Sequence, residues 1–186
     1  HVELRSEQGP AATILDAAME TAVEVIAEGA TELEVAGEMH RTMMAAGGDT
    51  PASPMNFATG ERSCYAHGMP SERAIRQGDF MHFEFGVAYK RYGATIGRQL
   101  CLGGPTPRMR ELYRVVRDAS DAAIAEMRAG VPATIPHEAA QKVIADAGLA
   151  PYMVHQTGYG IAPGFPPSWL ENILMFGASS YTLEAG

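Results

Sequence analysis

One arrangement is written twice along this chain: a long amphipathic helix pattern, a glycine, a threonine suited to capping, a shorter helix pattern, and another glycine. In the first copy, Ala11, Leu15, Ala18, Ala22, Val25 and Ile26 fall near helical spacing, which predicts a helix over Pro10–Glu28 closed by Gly29. Thr31 with Glu34 three residues on forms a capping box for a second helix through Val35 and Met39 to Met43, which Gly47–Gly48 stops. In the second copy, Met109–Arg128 carries Leu112, Val115, Val116, Ala119, Ala123 and Met127 on one side. Gly130 ends it, Thr134 is suited to cap the next, and Ala139–Ala147 runs to Gly148. A strand-rich stretch follows each copy. Two such halves, each laying helices on one face of an antiparallel sheet, give an α+β domain with pseudo-twofold symmetry.

The strands are expected where aromatic and branched residues gather. Phe80–Phe85 reads as one, Val87–Tyr92 as its hairpin partner after Gly86, and Thr95–Leu102 as a third before Gly103–Gly104–Pro105. Later, Pro151–His155 is a short strand candidate, and Gly158–Pro167 reads as a glycine- and proline-rich loop.

With 186 residues the chain fills one core and is short for two domains. A net charge of -8 repels phosphate backbones, which argues against nucleic acid as a partner. No apolar run reaches bilayer length and no signal peptide opens the chain, so no membrane partner is expected. Cys64 and Cys101 match no zinc spacing or disulfide framework and read as reduced thiols of a cytoplasmic protein. Both ends read as cut. The expectation is one catalytic domain over residues 1–186, incomplete at both ends, with an N-terminal domain and the last strands outside it.

Three stretches carry a more specific signal: AHGMPSERAIRQGDF over 66–80, FEFGVAYKRYGATIGRQLCLG over 83–103, and HQTGYGIAPGFPPSW over 155–169. In this order they resemble the pita-bread hydrolases of the creatinase and Xaa-Pro peptidase kind. That pattern has a His-Gly before a Gly-Asp turn, a hairpin with two acids, and a Thr-Gly-His-Gly loop ending in His-Glu. The resemblance implies a pita-bread fold. In the metal-dependent members, two aspartates eleven residues apart, the loop histidine and two later glutamates bind a pair of divalent metals. Here the first acid position is Glu84 and the second is Thr95. Tyr159 stands for the loop histidine and Pro166–Pro167 for the His-Glu pair, while the late glutamates fall beyond Gly186. Threonine, tyrosine and proline cannot supply the charge a hard divalent pair requires. The expectation is therefore no metal cofactor, the alternative being two divalent ions such as Mn or Co.

Within that family, creatinase works without metal and keeps a histidine at the position of His67. The glutamate it uses beside the hairpin arginine is here Gly97, next to Arg98. Ectoine hydrolase resembles the chain further, in the acid at Glu84, the Tyr89–Lys90–Arg91–Tyr92 turn, and Thr-Gly-Tyr followed by Pro-Pro-x-Trp. The His-Gly-x-Pro form at His67 belongs instead to the peptidases.

Glu84 lies mid-strand between Phe83 and Phe85, whose side chains take the opposite face. An acid there is costly unless paired or working, so Glu84 is the candidate nucleophile or general base, against a buried salt bridge or residual metal ligand. His67, on a loop before glycine and proline, is the candidate proton shuttle. His82 shares the face of Glu84 and either orients it or is a satisfied structural histidine. His155 either lines the site or bonds backbone, while His40 and His137 on helices read as solvated. Tyr159, Phe165 and Trp169, with Tyr89 and Tyr92 of the hairpin, either pack in the core or box a small cationic ligand. Arg98 would meet its carboxylate, its first role being structural.

The leading expectation is a metal-independent hydrolase of a C–N bond in a small zwitterionic cyclic amidine, ectoine or a relative. A dimetal Xaa-Pro dipeptidase or aminopeptidase is the alternative, and a non-catalytic binding module on the same fold is the third. The partners expected are a small-molecule substrate and, from the resemblance, a second copy in a homodimer.

Overall fold

The computed structural model describes residues 2–185, with the side chains of 2–8, 162, 164 and 172 excepted. The chain forms two compact units, one of residues 1–105 with 161–169, the other of residues 106–160 with 170–186.

In the first unit, α1 (Val2–Val25) and α2 (Glu32–Ala45) pack on one face of a sheet. Helix α1 begins before the expected Pro10, which lies inside it. At α2 the expected capping box is present: the Thr31 hydroxyl accepts from Glu34 N, and Glu34 accepts from Thr31 N. Strands β1 (Asn56–Thr59), β2 (Phe80–Tyr89) and β3 (Tyr92–Cys101) are antiparallel neighbours. Strand β4 (Gly158–Phe165) joins β3 at Tyr92–Pro163. Leu15, Val35 and Met39 meet Phe57, Met81, Phe83 and Phe85 in the core, and the Phe57 and Phe83 rings stack with centroids 4.2 Å apart. Burying these large side chains stabilises the layer by about 1.5–3 kcal/mol each.

Two strand expectations are corrected here. Gly86 does not break the hairpin. Strand β2 runs through it, and the turn falls at Lys90 and Arg91, both at positive φ, as in a two-residue primed turn. Glycine at 86 answers a packing demand: a Cβ would lie 2.9 Å from Ala94 O and 3.1 Å from the Trp169 ring. The expected loop over 158–167 is extended instead, as β4 followed by β5 (Ser168–Met175), with the chain turning at Pro166–Pro167.

In the second unit, α3 (Pro107–Glu126) starts from the cap Thr106, and α4 (Thr134–Asp146) follows it. Ala119, Ala123 and Ala140 pack with Val143, Ile144 and Met153. Thr134 does not cap α4: it is already helical, and Ala133 precedes it without a side-chain bond. The strand expected at 151–155 is a 3-10 turn over Ala150–Tyr152, because Pro151 has no N–H to give a ladder.

Candidate active site

The β2 alternation builds the site. Phe83 and Phe85 are buried against the helices, so Glu84, with His82 and Gly86, stands on the other face. Glu84 lies in register between Asn56 of β1 and Gly97 of β3. Asn56 Nδ2 donates to Glu84 Oε2 at 3.0 Å, which holds the carboxylate at a fixed position on a half-buried surface. His82 is half-buried, and burial is the main reason its pKa is lowered. Glu84 pulls in the opposite sense and His67 pushes down, so both lie within electrostatic reach of its ring.

His67 reaches this face on the loop between β1 and β2. Phe57 N donates to Gly68 O at 2.8 Å, and a Cβ at Gly68 would lie 2.8 Å from that of Ala58, the register partner of His82. Only glycine lets the loop settle this closely on β1.

Trp169 is 5% exposed and stands against Gly86 on the Glu84 face. The Thr95 methyl lies at the same spot, 3.2 Å from where a Gly86 Cβ would be. The second acid position of the resemblance is thus held by a threonine whose methyl crowds the same point as the indole. Tyr92 and Arg98 are not brought to this face. Arg98 is in register with Phe83, and Tyr92 with Tyr89, which packs on the helix-side core. Arg98 lines a groove of about 500 Å³ with Asp16, Glu20 and Glu24 of α1, on the far side of the sheet from Glu84. The expected contact of Arg98 with a ligand carboxylate at Glu84, and the box joining Tyr92 to Trp169, are corrected by this alternation. Phe165 is 64% exposed and lies 5.4 Å from the Arg91 guanidinium, itself paired with Asp49.

Tyr159 and His155 belong to the second unit, where Tyr159 is half-buried on β4 and His155 is exposed with Nδ1 3.1 Å from Gln156 O. His137, expected in solvent, is buried instead, its Nδ1 2.8 Å from the Thr157 hydroxyl. His40 is half-buried, with Nδ1 2.8 Å from Ala36 O. Sequence reasoning missed Asn56 and Gly68. Neither sits in a periodic pattern, and only strand pairing reveals their relation to Glu84 and His67.

The profile of "Metallopeptidase family M24" matches residues 10–186. The Xaa-Pro dipeptidase of Pyrococcus furiosus is 32% identical over 151 residues, covering 81% of this chain and 43% of that protein. The chain therefore spans less than half the length of that relative. Among solved structures, the prolidase from Pyrococcus furiosus superposes with a TM-score of 0.93 at 29% identity, over 99% of this chain and 53% of that one. The X-Pro aminopeptidase from Thermotoga maritima gives 0.92 at 26% identity, over 99% and 51%. The expected α+β, pita-bread architecture is the one this chain has. The expectation of no metal cofactor is overturned, since the matching family is one of metallopeptidases. The ectoine-type reading receives no support from these relatives, which are Xaa-Pro peptidases. Among the described residues, no helix is long and apolar enough to cross a membrane.

Proposed function

Because the chain belongs to metallopeptidase family M24, we propose that it is the catalytic portion of a hydrolase that cleaves the peptide C–N bond of short Xaa-Pro substrates. One observation carries the reading: the Glu84 carboxylate stands on the sheet face away from the helices, held by Asn56, with His82 in electrostatic reach and His67 in reach of that same ring. The Xaa-Pro dipeptidase relatives supply the bond type.

The described residues do not fit a two-metal centre by themselves. Thr95 stands at the second acid position and Tyr159 at the histidine position. Among the described residues no group of three or more His, Cys, Asp or Glu could hold an ion. What the chain's own groups do is proton chemistry and shaping. Glu84 accepts a proton from the attacking water, while Asn56 keeps the carboxylate aimed. His67, carrying a proton, gives it to the departing amine nitrogen as the C–N bond breaks, and the proton taken up by Glu84 passes back to His67 through solvent to restore both groups. Trp169, packed beside Gly86 on the Glu84 face, gives that side of the site an apolar wall suited to the proline ring.

The test is release of proline from Met-Pro and Gly-Pro by the purified protein supplied with Mn or Co, beside its Glu84→Gln variant. Cleavage by the parent, with kcat lowered roughly 10²–10⁴-fold in the variant at similar KM, is expected. A folded protein that cleaves no Xaa-Pro dipeptide would overturn the substrate class. An undiminished kcat in the variant would overturn the role of Glu84.

A further inference from the structure

We infer that Glu32, in the first turn of α2, is a positioning residue that holds the His67 loop against the Glu84 face. The inference rests on the reading of His67 as a proton-transfer group.

Glu32 is 0% exposed, and a buried carboxylate is costly unless every lone pair is used. Its oxygens are divided between the two ends of one loop. Oε1 accepts from Thr59 N and Thr59 Oγ1, both at 2.8 Å. Oε2 accepts from Ser71 N at 3.0 Å, from Ser71 Oγ at 2.7 Å, and from Arg62 Nη1. Arg62 then extends the clamp inward, donating through Nη2 to Met69 O at 2.8 Å, two residues from His67. Burial pushes the Glu32 pKa up, but the bonds from Ser71, Thr59 and Arg62 together hold it below the ordinary carboxylate value.

Helix capping does not account for this residue, because Thr31 and Glu34 already serve the α2 N-terminus. What Glu32 fixes is the closure of residues 59–71. Between those ends, Gly68 seats the loop on β1, and His67 beside it reaches the surroundings of His82. The chain thus runs from a buried charge, through a closed loop, to the placement of one imidazole.

A glutamine at this position keeps one oxygen and turns an NH₂ toward donors, so one end of the loop loses its acceptor. The test is proton–carbon NMR of the histidine rings in the parent, Glu32→Gln and the milder Ser71→Ala, with His67 assigned by its loss in His67→Ala. We expect the His67 Cε1–H resonance to shift and broaden in Glu32→Gln, less in Ser71→Ala, with His137 unmoved. On Met-Pro, Glu32→Gln is expected to lower kcat/KM by about 10–100-fold, yet to lower the residual rate of His67→Ala no further. A folded variant with an unmoved His67 resonance, or an equal loss in both backgrounds, would overturn the inference and leave a purely structural clamp. If Glu32→Gln does not fold, Ser71→Ala decides by the same resonance. If no dipeptide is cleaved, the substrate reading fails while the NMR comparison still decides the role of Glu32.

Discussion

Asn56 and Glu84 are direct partners across the β1–β2 ladder, and their side chains are joined at 3.0 Å on the face away from the helices. A neutral donor thereby fixes an acid without neutralising it. Asn56→Ala should leave Glu84 less well oriented and cost about 1–2 kcal/mol of transition-state stabilisation, roughly tenfold in kcat/KM. Asn56→Asp should cost more, because two like charges would then share the pair. Steady-state kinetics on a Xaa-Pro dipeptide check both.

Gly86 should not tolerate alanine. The new methyl would meet Ala94 O, which is backbone and cannot swing aside, together with the Trp169 and Thr95 side chains. A loss of about 1–3 kcal/mol is expected from urea unfolding. Trp169 is the sole tryptophan of the chain, so its emission in native buffer should shift in the same variant.

Acid should weaken the first unit through Asp79. Arg73 grips this carboxylate with Nη1 and Nη2 at 2.5 and 2.9 Å, and Arg76 N adds a bond at 2.9 Å. The Arg73 hydrogen bonds are the main reason its pKa falls below the ordinary aspartate value, despite burial. The unfolded chain therefore takes up the proton first as pH drops. The stabilisation is whole above the unfolded pKa and is lost as pH falls through the lower, folded one. The urea midpoint should fall between about pH 5 and 3, and Asp79→Asn should flatten part of that slope while lowering stability near neutrality.

Lys90 opens the β2–β3 turn at φ 51, a conformation that asparagine adopts more readily than lysine. Lys90→Asn should raise stability by about 0.5 kcal/mol, seen as a higher urea midpoint at unchanged slope. An unchanged or lower midpoint would mean that the lysine contacts outweigh the backbone preference.

Much of this was legible beforehand where the cause is local. The Thr31–Glu34 box and the apolar stripes of α1 to α4 depend on neighbours within a turn or two, so spacing exposes them. Glu84 was legible because an acid between Phe83 and Phe85 has to stand on the opposite face. The hairpin turn was hidden by Gly86, whose purpose is to admit Trp169, distant in sequence. Strand β4 was hidden by its glycines: Gly158 and Gly160 lie where Met175 and Glu171 of β5 crowd the backbone, within regular strand. Glu32 gave no signal, since its partners stand 27 to 39 residues away and it reads as one more acid in a helix start. The metal expectation failed for another reason. It inferred chemistry from individual replaced ligands, whereas the family follows from the whole length matched.

The Lys90–Arg91 turn has one more consequence, for inheritance. Because it closes the ladder with Tyr89 opposite Tyr92, every residue of β2 has its side fixed by odd or even count from that corner. A single codon inserted between Glu84 and Tyr89 would reverse parity upstream, driving the acid into the phenylalanine layer and the rings out to water. Two codons would restore it. Along this strand, length changes should survive in pairs or not at all.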